Sequence, residues 1–352
     1  MRVVHFAETL KGGPATYLNE LLPFQVRAYD KVTVFVPASQ ASFITCPGVS
    51  VEAYPDARRS LLGVAQLARH WVRHARTNDY DVIHLHSTFA GLAGRLAPRS
   101  NGLRIVYCPH GWSFAMDTTP VKKQVYSLAE RLLALRTDTI VNISRSEENL
   151  SVRAGIPKAK TRLVYNGIGN AEWAPLPAGS DGKRLLFVGR YDRQKGVDIL
   201  IEAMKDLGPR GYGLTMIGGP VVGEPPIRAI PENVVDLGWR SENDVRQAMT
   251  EADAVVMPSR WEGFSLVALE AMRMGRPIVA TSASSLPEAV IDGETGVLCP
   301  PGSAQEFARA VLRLADMDMR QLGINGRERY ERLFTAERMF HQLETIYRGP
   351  RR

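Results

Sequence analysis

Two carboxylates with seven residues between them, Glu262 and Glu270, mark the stretch of this chain best suited to chemistry. They lie in SRWEGFSLVALE (259–270), directly after the β-branched run AVVMPS (254–259). The pattern predicts a strand, a short loop carrying Glu262, and a helix over 264–274 carrying Glu270. From helix start to Glu270 is about six residues, a rise of ~9 Å. That separation suits a nucleoside diphosphate lying along the helix start. Amide N–H groups near Phe264, Ser265 and Leu266 would face the phosphates. The later carboxylate would accept from both ribose hydroxyls. Leu266, Val267, Leu269, Ala271 and Met272 around Glu270 are apolar, and a carboxylate in such a helix needs a partner.

A second cluster, GRYDRQKG (189–196), follows the run RLLFVGR (184–190) and opens the next helix. Arg190 and Lys195 flank this loop; a guanidinium grips phosphate oxygens with its planar fork and an ammonium adds a point charge. Arg193 reads as a solvated side chain. Gly12-Gly13, just before a predicted helix with Pro14 at its first position, let a backbone approach an anion closely, or serve as a plain turn. His110 ends the run RIVYCPH (104–110), while His84 and His86 end the neighbouring run DVIHLHS (81–87) and compete for the same role. Neither GxGxxG nor GxxxxGK[ST] occurs, which removes the main support for a nicotinamide dehydrogenase or a P-loop enzyme. Asp79-Tyr80-Asp81 precedes a strand and Asp316-Met317-Asp318 ends a helix, so both read as structural rather than metal-binding.

These residues sit at the ends of β-branched runs that alternate with longer amphipathic stretches. In the first half strands are expected at 2–8, 31–37, 49–55, 81–87, 104–110, 138–144 and 162–168, with helices near 14–28, 60–77, 89–97, 121–136 and 146–154. The second half repeats the pattern, with strands at 184–190, 213–219, 234–239, 254–259, 277–281 and 296–300 and helices at 195–206, 242–252, 264–274, 285–291 and 303–316. Continuous apolar strands separated by helices mean parallel sheets covered on both faces. APLPAGSDGK (174–183) reads as a linker, and 319–348 as two helices meeting near Phe334-Thr335. The domains expected are 1–173, the linker 174–183, 184–318, and a helical tail 319–352. In open parallel sheets ligands sit beyond the carboxyl ends of the strands, so two such sheets facing each other would hold a ligand in the cleft between them.

A length of 352 residues fits two domains. Three scattered cysteines exclude a disulfide framework and a cysteine-based zinc motif, and fit a reducing cytosol. The start, MRVVHFAETLKGG, predicts no signal peptide, and no apolar stretch reaches 18 residues, so a soluble or peripherally attached protein is expected. The chain carries 44 basic and 37 acidic residues, net +7. Residues 1–176 hold 21 basic and 13 acidic residues, and six of the seven histidines. One half therefore suits an anionic surface or ligand. Finger, homeodomain and RNA-recognition signatures are missing, so nucleic acid is not expected.

The set GGPATYLNEL, HG (110–111), NG (166–167), FVGRYDRQKG and SRWEGFSLVALEAMRMGRPIVAT followed by LPEAVIDGETG resembles the retaining family 4 glycosyltransferases. The resemblance spans nearly the whole chain and implies the GT-B fold: two Rossmann-like parallel-sheet domains facing across a cleft, with a helical C-terminal tail. It implies that Gly12 and Gly13 line the donor phosphates, and that His110 approaches the transferred sugar without acting as a general base. Arg190 and Lys195 would neutralise the leaving diphosphate. Glu262 would contact the donor sugar and Glu270 the ribose. Gly189, Phe264, Ser265 and Leu266 complete the donor site, with the base near Gly238, Trp239 and Arg240. It also implies no metal and no other cofactor, in keeping with cations and a helix N-terminus standing in for a divalent ion.

A UDP-hexose is favoured over a GDP-hexose as donor, and the acceptor is expected to be a glycan or lipid-linked. HGWSF (110–114) resembles a branch found in exopolysaccharide and O-antigen, hence lipopolysaccharide, assembly. The expected location is the cytoplasm, peripheral at the cytoplasmic face of the inner membrane. Alternatives are a GT-B enzyme of other chemistry, such as a nucleotide-sugar epimerase or small-glycoside synthase, and a non-catalytic nucleotide-sugar-binding module. Residues 58–76 predict a basic helix in which Leu61, Val64, Ala68, Trp71 or Val72, and Ala75 form one apolar stripe. Arg58, Arg59, Arg69, Arg73 and Arg76 flank it. The stripe packs on the sheet or meets an anionic lipid surface; both hold if the stripe points inward and the arginines outward.

Overall fold

The computed structural model describes residues 1–56, 60–116, 118–220 and 230–350. It divides into two compact units, Met1–Gly169 with Ala336–Arg352, and Asn170–Thr335.

The first unit runs β1 (Arg2–Ala7), α1 (Gly13–Ala28), β2 (Lys31–Pro37), β3 (Ser50–Tyr54), α2 (Leu61–Thr77), β4 (Val82–His86), α3 (Thr88–Leu96), β5 (Arg104–Cys108), α4 (Pro120–Ala134), β6 (Thr139–Asn142), α5 (Arg145–Arg153) and β7 (Thr161–Leu163). Its seven strands are parallel in the order β3-β2-β1-β4-β5-β6-β7. The second unit runs β8 (Arg184–Tyr191), α6 (Val197–Leu207), β9 (Gly213–Pro220), β10 (Val234–Asp236), α7 (Glu242–Glu251), β11 (Ala254–Met257), α8 (Leu266–Arg273), β12 (Ile278–Thr281), α9 (Leu286–Ala289), β13 (Gly296–Cys299), α10 (Ala304–Ala315) and α11 (Met319–Leu333). Its six strands are parallel in the order β10-β9-β8-β11-β12-β13. Strand order reverses at β1/β4 in one sheet and at β8/β11 in the other, and loops diverging at such a point open a crevice for a ligand. Every expected strand and helix is present, with ends shifted by a few residues.

The periodicity of each helix explains what it covers. Val64, Leu67 and Trp71 of α2 join Phe6, Phe35, Tyr54 and Tyr107 in one core of the first unit. On the other face α1 packs against α12 (Ala336–Arg348), with Phe24 and Phe340 stacked at 5.8 Å. The terminal helices do not form one tail. Gly323 of α11 approaches so closely that a Cβ there would lie 2.1 Å from the Gly275 carbonyl oxygen, tying α11 to the second unit. The apolar stripe of α12, Met339, Phe340, Leu343 and Tyr347, is buried in the first.

The stretch expected as a linker is also partly structural. Leu176 is buried in the second core, and Arg276 donates to the Ala174 carbonyl at 3.0 Å. The units part instead between Gly169 and Asn170, because Arg327 donates to Asn170 and lies over the Trp173 ring. Among the described residues no helix is long and apolar enough to cross a membrane.

Candidate active site

At the reversal point of the second sheet the loops after β8 and β11 are stitched together. Lys195 Nζ donates to Glu262 Oε1 at 2.6 Å, and Ser259 Oγ donates to the same oxygen at 2.7 Å. The two charged side chains keep 16% and 5% of their exposure, so this pair is largely shielded from water. Gly196 makes the approach possible. It caps α6 at φ 69°, and a Cβ there would lie 2.2 Å from the Pro258 carbonyl oxygen. Arg260 grips Asp198 with two bonds of 2.7 Å, which holds that carboxyl below its usual range. Gln194 donates to the Trp261 carbonyl at 3.1 Å. Arg190 is half-exposed and donates to Gln194 Oε1 at 2.9 Å and Asp192 Oδ2 at 3.0 Å. Arg190 thus projects from the last residues of β8 and Lys195 from the braced loop that follows, each already beside a carboxylate. Arg193 is exposed.

Glu262 precedes α8 and Glu270 lies within it. The helix begins two residues later than expected because Ser265 is its N-cap, its Oγ accepting from the Ala268 amide at 3.4 Å. Glu270 therefore lies four residues past Leu266, a rise of ~6 Å rather than ~9 Å. It is half-buried. The amides of Leu266 and Val267, in the first turn, have no intrahelical acceptor. The Phe264 side chain is buried, 5.3 Å from the Phe334 ring, so only its backbone is available to a phosphate.

Beyond β9 and β10 lies a flat aromatic surface. Strand β10 ends at Asp236, three residues short of expectation, so Gly238, Trp239 and Arg240 all sit in the following loop. Asp236 Oδ1 accepts from Tyr191 at 2.6 Å and from the Gly238 amide at 2.9 Å, which shapes that loop. Trp239 is 62% exposed, and its indole lies over Gly219. An exposed indole held in place offers a stacking face for a base. Arg240 is exposed and lines a recess of about 450 Å³ with Asp244 and Glu251. Gly189 lies within β8, two residues before its end and in close contact with β9: a Cβ on Gly218 would meet its carbonyl oxygen at 1.7 Å.

In the first unit, Gly12 caps α1 at φ 80° with open space around it, and Gly13 is the first helical residue, which moves Pro14 to the second position. His110 does not end a strand: β5 stops at Cys108, and His110 turns away at φ 52°, followed by Gly111 at φ 117°. Ser87, after β4, has φ 67° and donates its amide to the Cys108 carbonyl at 3.0 Å. With Ser284, these are the described non-glycine residues in the left-handed region, and each follows the carboxyl end of a strand. Such conformations cost roughly 1–3 kcal/mol and cluster where function holds them.

Behind His110 runs a chain of buried rings that sequence reasoning missed. His110 Nε2 lies 2.9 Å from His86 Nδ1, His86 Nε2 lies 2.9 Å from His5 Nδ1, and His5 Nε2 lies 2.7 Å from Gln25 Oε1. With the Gln25 oxygen accepting, each ring donates from Nε2 and accepts at Nδ1, leaving the His110 Nδ1 lone pair at the free end. Burial lowers His5 and His110 to about 4 and holds His86 well below its ordinary value, so the rings are neutral at pH 7. Of the competing histidines, His86 is fully buried within the chain, and His84 is fully buried against the Tyr347 hydroxyl at 2.6 Å. The i, i+2 spacing of His84 and His86, with His5 opposite His84 in the next strand, is the signal that places three rings on one sheet face.

The apolar stripe of α2 points inward. Trp71 is 2% exposed and stacks 5.8 Å from Phe6, so it is unavailable to a lipid surface, while Arg69, Arg73 and Arg76 are exposed. Arg58 and Arg59 lie outside the described residues, as does the Leu61 side chain. Asp81 accepts from the Arg2 amide at 2.6 Å, and Asp318 caps α11 by accepting from the Gln321 amide at 3.0 Å.

Residues 11–170 match the family described as Glycosyltransferase Family 4, and residues 182–317 the family described as Glycosyl transferases group 1. An uncharacterized 41.2 kDa protein in the cps region of Klebsiella pneumoniae is 37% identical over 314 residues, covering 85% of this chain and 86% of its own. Two solved structures are similar over almost their whole length. Anabaena HepE in complex with UDP has a TM-score of 0.79 at 22% identity, covering 98% of this chain and 99% of its own. Sucrose-phosphate synthase from Thermosynechococcus elongatus has a TM-score of 0.81 at 23% identity, covering 99% and 98%. At such identities the likeness speaks for the fold.

Proposed function

The chain belongs to glycosyltransferase family 4 and has the GT-B fold, and on that premise we propose a specific reaction for it. It moves a hexosyl unit from a UDP-sugar to a glycan or lipid-linked acceptor, with retention at the anomeric carbon and without a metal ion. The pathway is bacterial exopolysaccharide or lipopolysaccharide assembly, at the cytoplasmic face of the inner membrane. The relative encoded in a cps region supports the pathway, and the UDP bound by a protein of the same fold supports the donor.

The observation that carries this reading is the shielded contact of Lys195 with Glu262 just before the α8 N-terminus. Lys195 and Arg190 meet the diphosphate, where charge develops as the bond from the anomeric carbon to phosphate oxygen breaks. The Leu266 and Val267 amides add the helix N-terminus. Glu262 orients the sugar through its hydroxyls, and Glu270 accepts from the ribose. Trp239 offers its face to the uracil. The departing phosphate oxygen takes the acceptor hydroxyl's proton as the new glycosidic bond forms on the same face, so the protein's task is positioning and charge stabilisation. His110, neutral with its Nδ1 lone pair outward, accepts a hydrogen bond from the transferred sugar.

The test is a thermal-shift screen of nucleotide sugars followed by donor hydrolysis with and without EDTA. UDP-hexoses should raise the melting temperature by mass action, and hydrolysis should persist in EDTA. No shift with any UDP-sugar would refute the donor. Activity lost to EDTA and restored by Mn²⁺ or Mg²⁺ would refute the metal-free mechanism.

A further inference from the structure

Helix α4 presents an apolar stripe that nothing in its own unit covers. Val121, Val125, Leu128, Leu132 and Leu135 are each 55–71% exposed. Their spacing of four, three, four and three residues confines them to a ~80° arc at 100° per residue, over ~21 Å of helix. The opposite side of the helix is the packed one, where Glu130, Leu133 and Ala134 are buried. A soluble surface rarely leaves five large aliphatic side chains in one line unless something binds there.

The charges around the stripe identify the occupant. The helix has one acidic residue, Glu130, and it is turned inward and bound to Arg95 at 2.8 Å. The charges that flank the stripe outward are Lys122, Arg131 and Arg136, all exposed. Arg136 donates to the Ala97 carbonyl at 3.0 Å, beside Leu96, which is also more than half exposed. Neither of the next helices of the same layer adds an acidic residue: α2 exposes Arg69, Arg73 and Arg76, and the one charge of α3, Arg95, is buried. A second copy of the chain docked stripe to stripe would bring these cations against each other. An anionic bilayer satisfies both features at once: aliphatic side chains enter the acyl boundary while lysine and arginine stay at the phosphates.

We infer that α4 is the element by which this protein lies on an anionic membrane surface, with α2 contributing only outward charge. The inference rests on the peripheral placement proposed above and deepens it by naming the surface. It does not depend on which sugar is transferred.

The experiment is cosedimentation of the full chain with vesicles of phosphatidylcholine alone and of phosphatidylcholine mixed equally with phosphatidylglycerol, at low and high salt. Donor binding by thermal shift is read on the same samples. Binding should be confined to the anionic vesicles and weaken with salt. It should fall about tenfold in Leu128→Gln/Leu132→Gln and about tenfold in Lys122→Gln/Arg131→Gln, with donor binding intact. All four side chains are exposed, so the fold should survive. Equal sedimentation of wild type and the leucine variant would overturn the inference, as would a loss seen only in Arg69→Gln/Arg73→Gln/Arg76→Gln. A solution dimer that the leucine variant converts to monomer would assign the stripe to a second copy instead. Failure to bind vesicles with donor binding intact would refute the docking and leave the transferase reading standing.

Discussion

Lys195 Nζ lies 2.6 Å from Glu262 Oε1, although 67 residues separate them in the chain. The contact joins the two loops at the β8/β11 reversal point and is shielded on both sides. In the proposed reaction an anionic leaving group arriving there would find a cation already oriented by its carboxylate partner. Lys195→Ala and Arg190→Ala should each lower kcat by about 10²–10³, as for loss of a preorganised donor to the developing charge. Steady-state rates with saturating donor decide it; a change below about threefold in Lys195→Ala would remove Lys195 from the leaving-group site.

The two glutamates should separate in their effects. Glu270→Ala should weaken UDP binding by roughly 1.5–3 kcal/mol, the worth of a charge-assisted hydrogen bond. Glu262→Ala should mainly lower turnover. Titration calorimetry with UDP reads the first directly, and undiminished affinity in Glu270→Ala would show that the ribose lies elsewhere.

The histidine chain predicts the direction of acid sensitivity. His5 and His110 sit at about 4 in the folded protein, lowered by burial from an ordinary 6.5. Between those values the unfolded chain binds more protons, so stability rises with pH through this window and is lost as pH falls from about 6.5 toward 4. A ring displaced that far withdraws roughly 3 kcal/mol by the lower limit. Melting temperature measured across that range should drop steeply, while above pH 7 these rings contribute no further change. A flat profile between pH 6.5 and 4.5 would contradict the neutral, tautomer-fixed chain.

Gly196 should tolerate no side chain. Its left-handed φ and the 2.2 Å approach of the Pro258 oxygen to any Cβ act together. Gly196→Ala should cost more than about 2 kcal/mol of stability, measured by denaturant unfolding. Its turnover should fall as well, because the loop that carries Lys195 must then draw back from Glu262. Gly12→Ala is the contrast: strained backbone but open space, hence a smaller loss.

The sequence by itself determined the elements and their order. The run KVTVFVP became β2 at Lys31–Pro37, and the two halves each became a parallel sheet. Those patterns are local: buried parallel strands read as continuous apolar runs and covering helices as 3.6-residue stripes. It also placed Glu262 before α8, Glu270 within it and Lys195 just before α6, since motif position follows from element order.

Tertiary structure alone decided which residues meet. Three histidines near strand ends look equivalent in the chain; the β1–β4 register and the packing of Tyr347 bury His84 and His86 fully and leave His110 only partly buried. Periodicity shows that α2 and α4 each have an apolar side but not what covers it. The sheet takes the stripe of α2 and leaves that of α4 outside. The last two helices form a continuous pattern, yet α11 and α12 belong to different units. Each of these outcomes depends on side chains far apart in sequence competing for the same surface, and no local period records that competition.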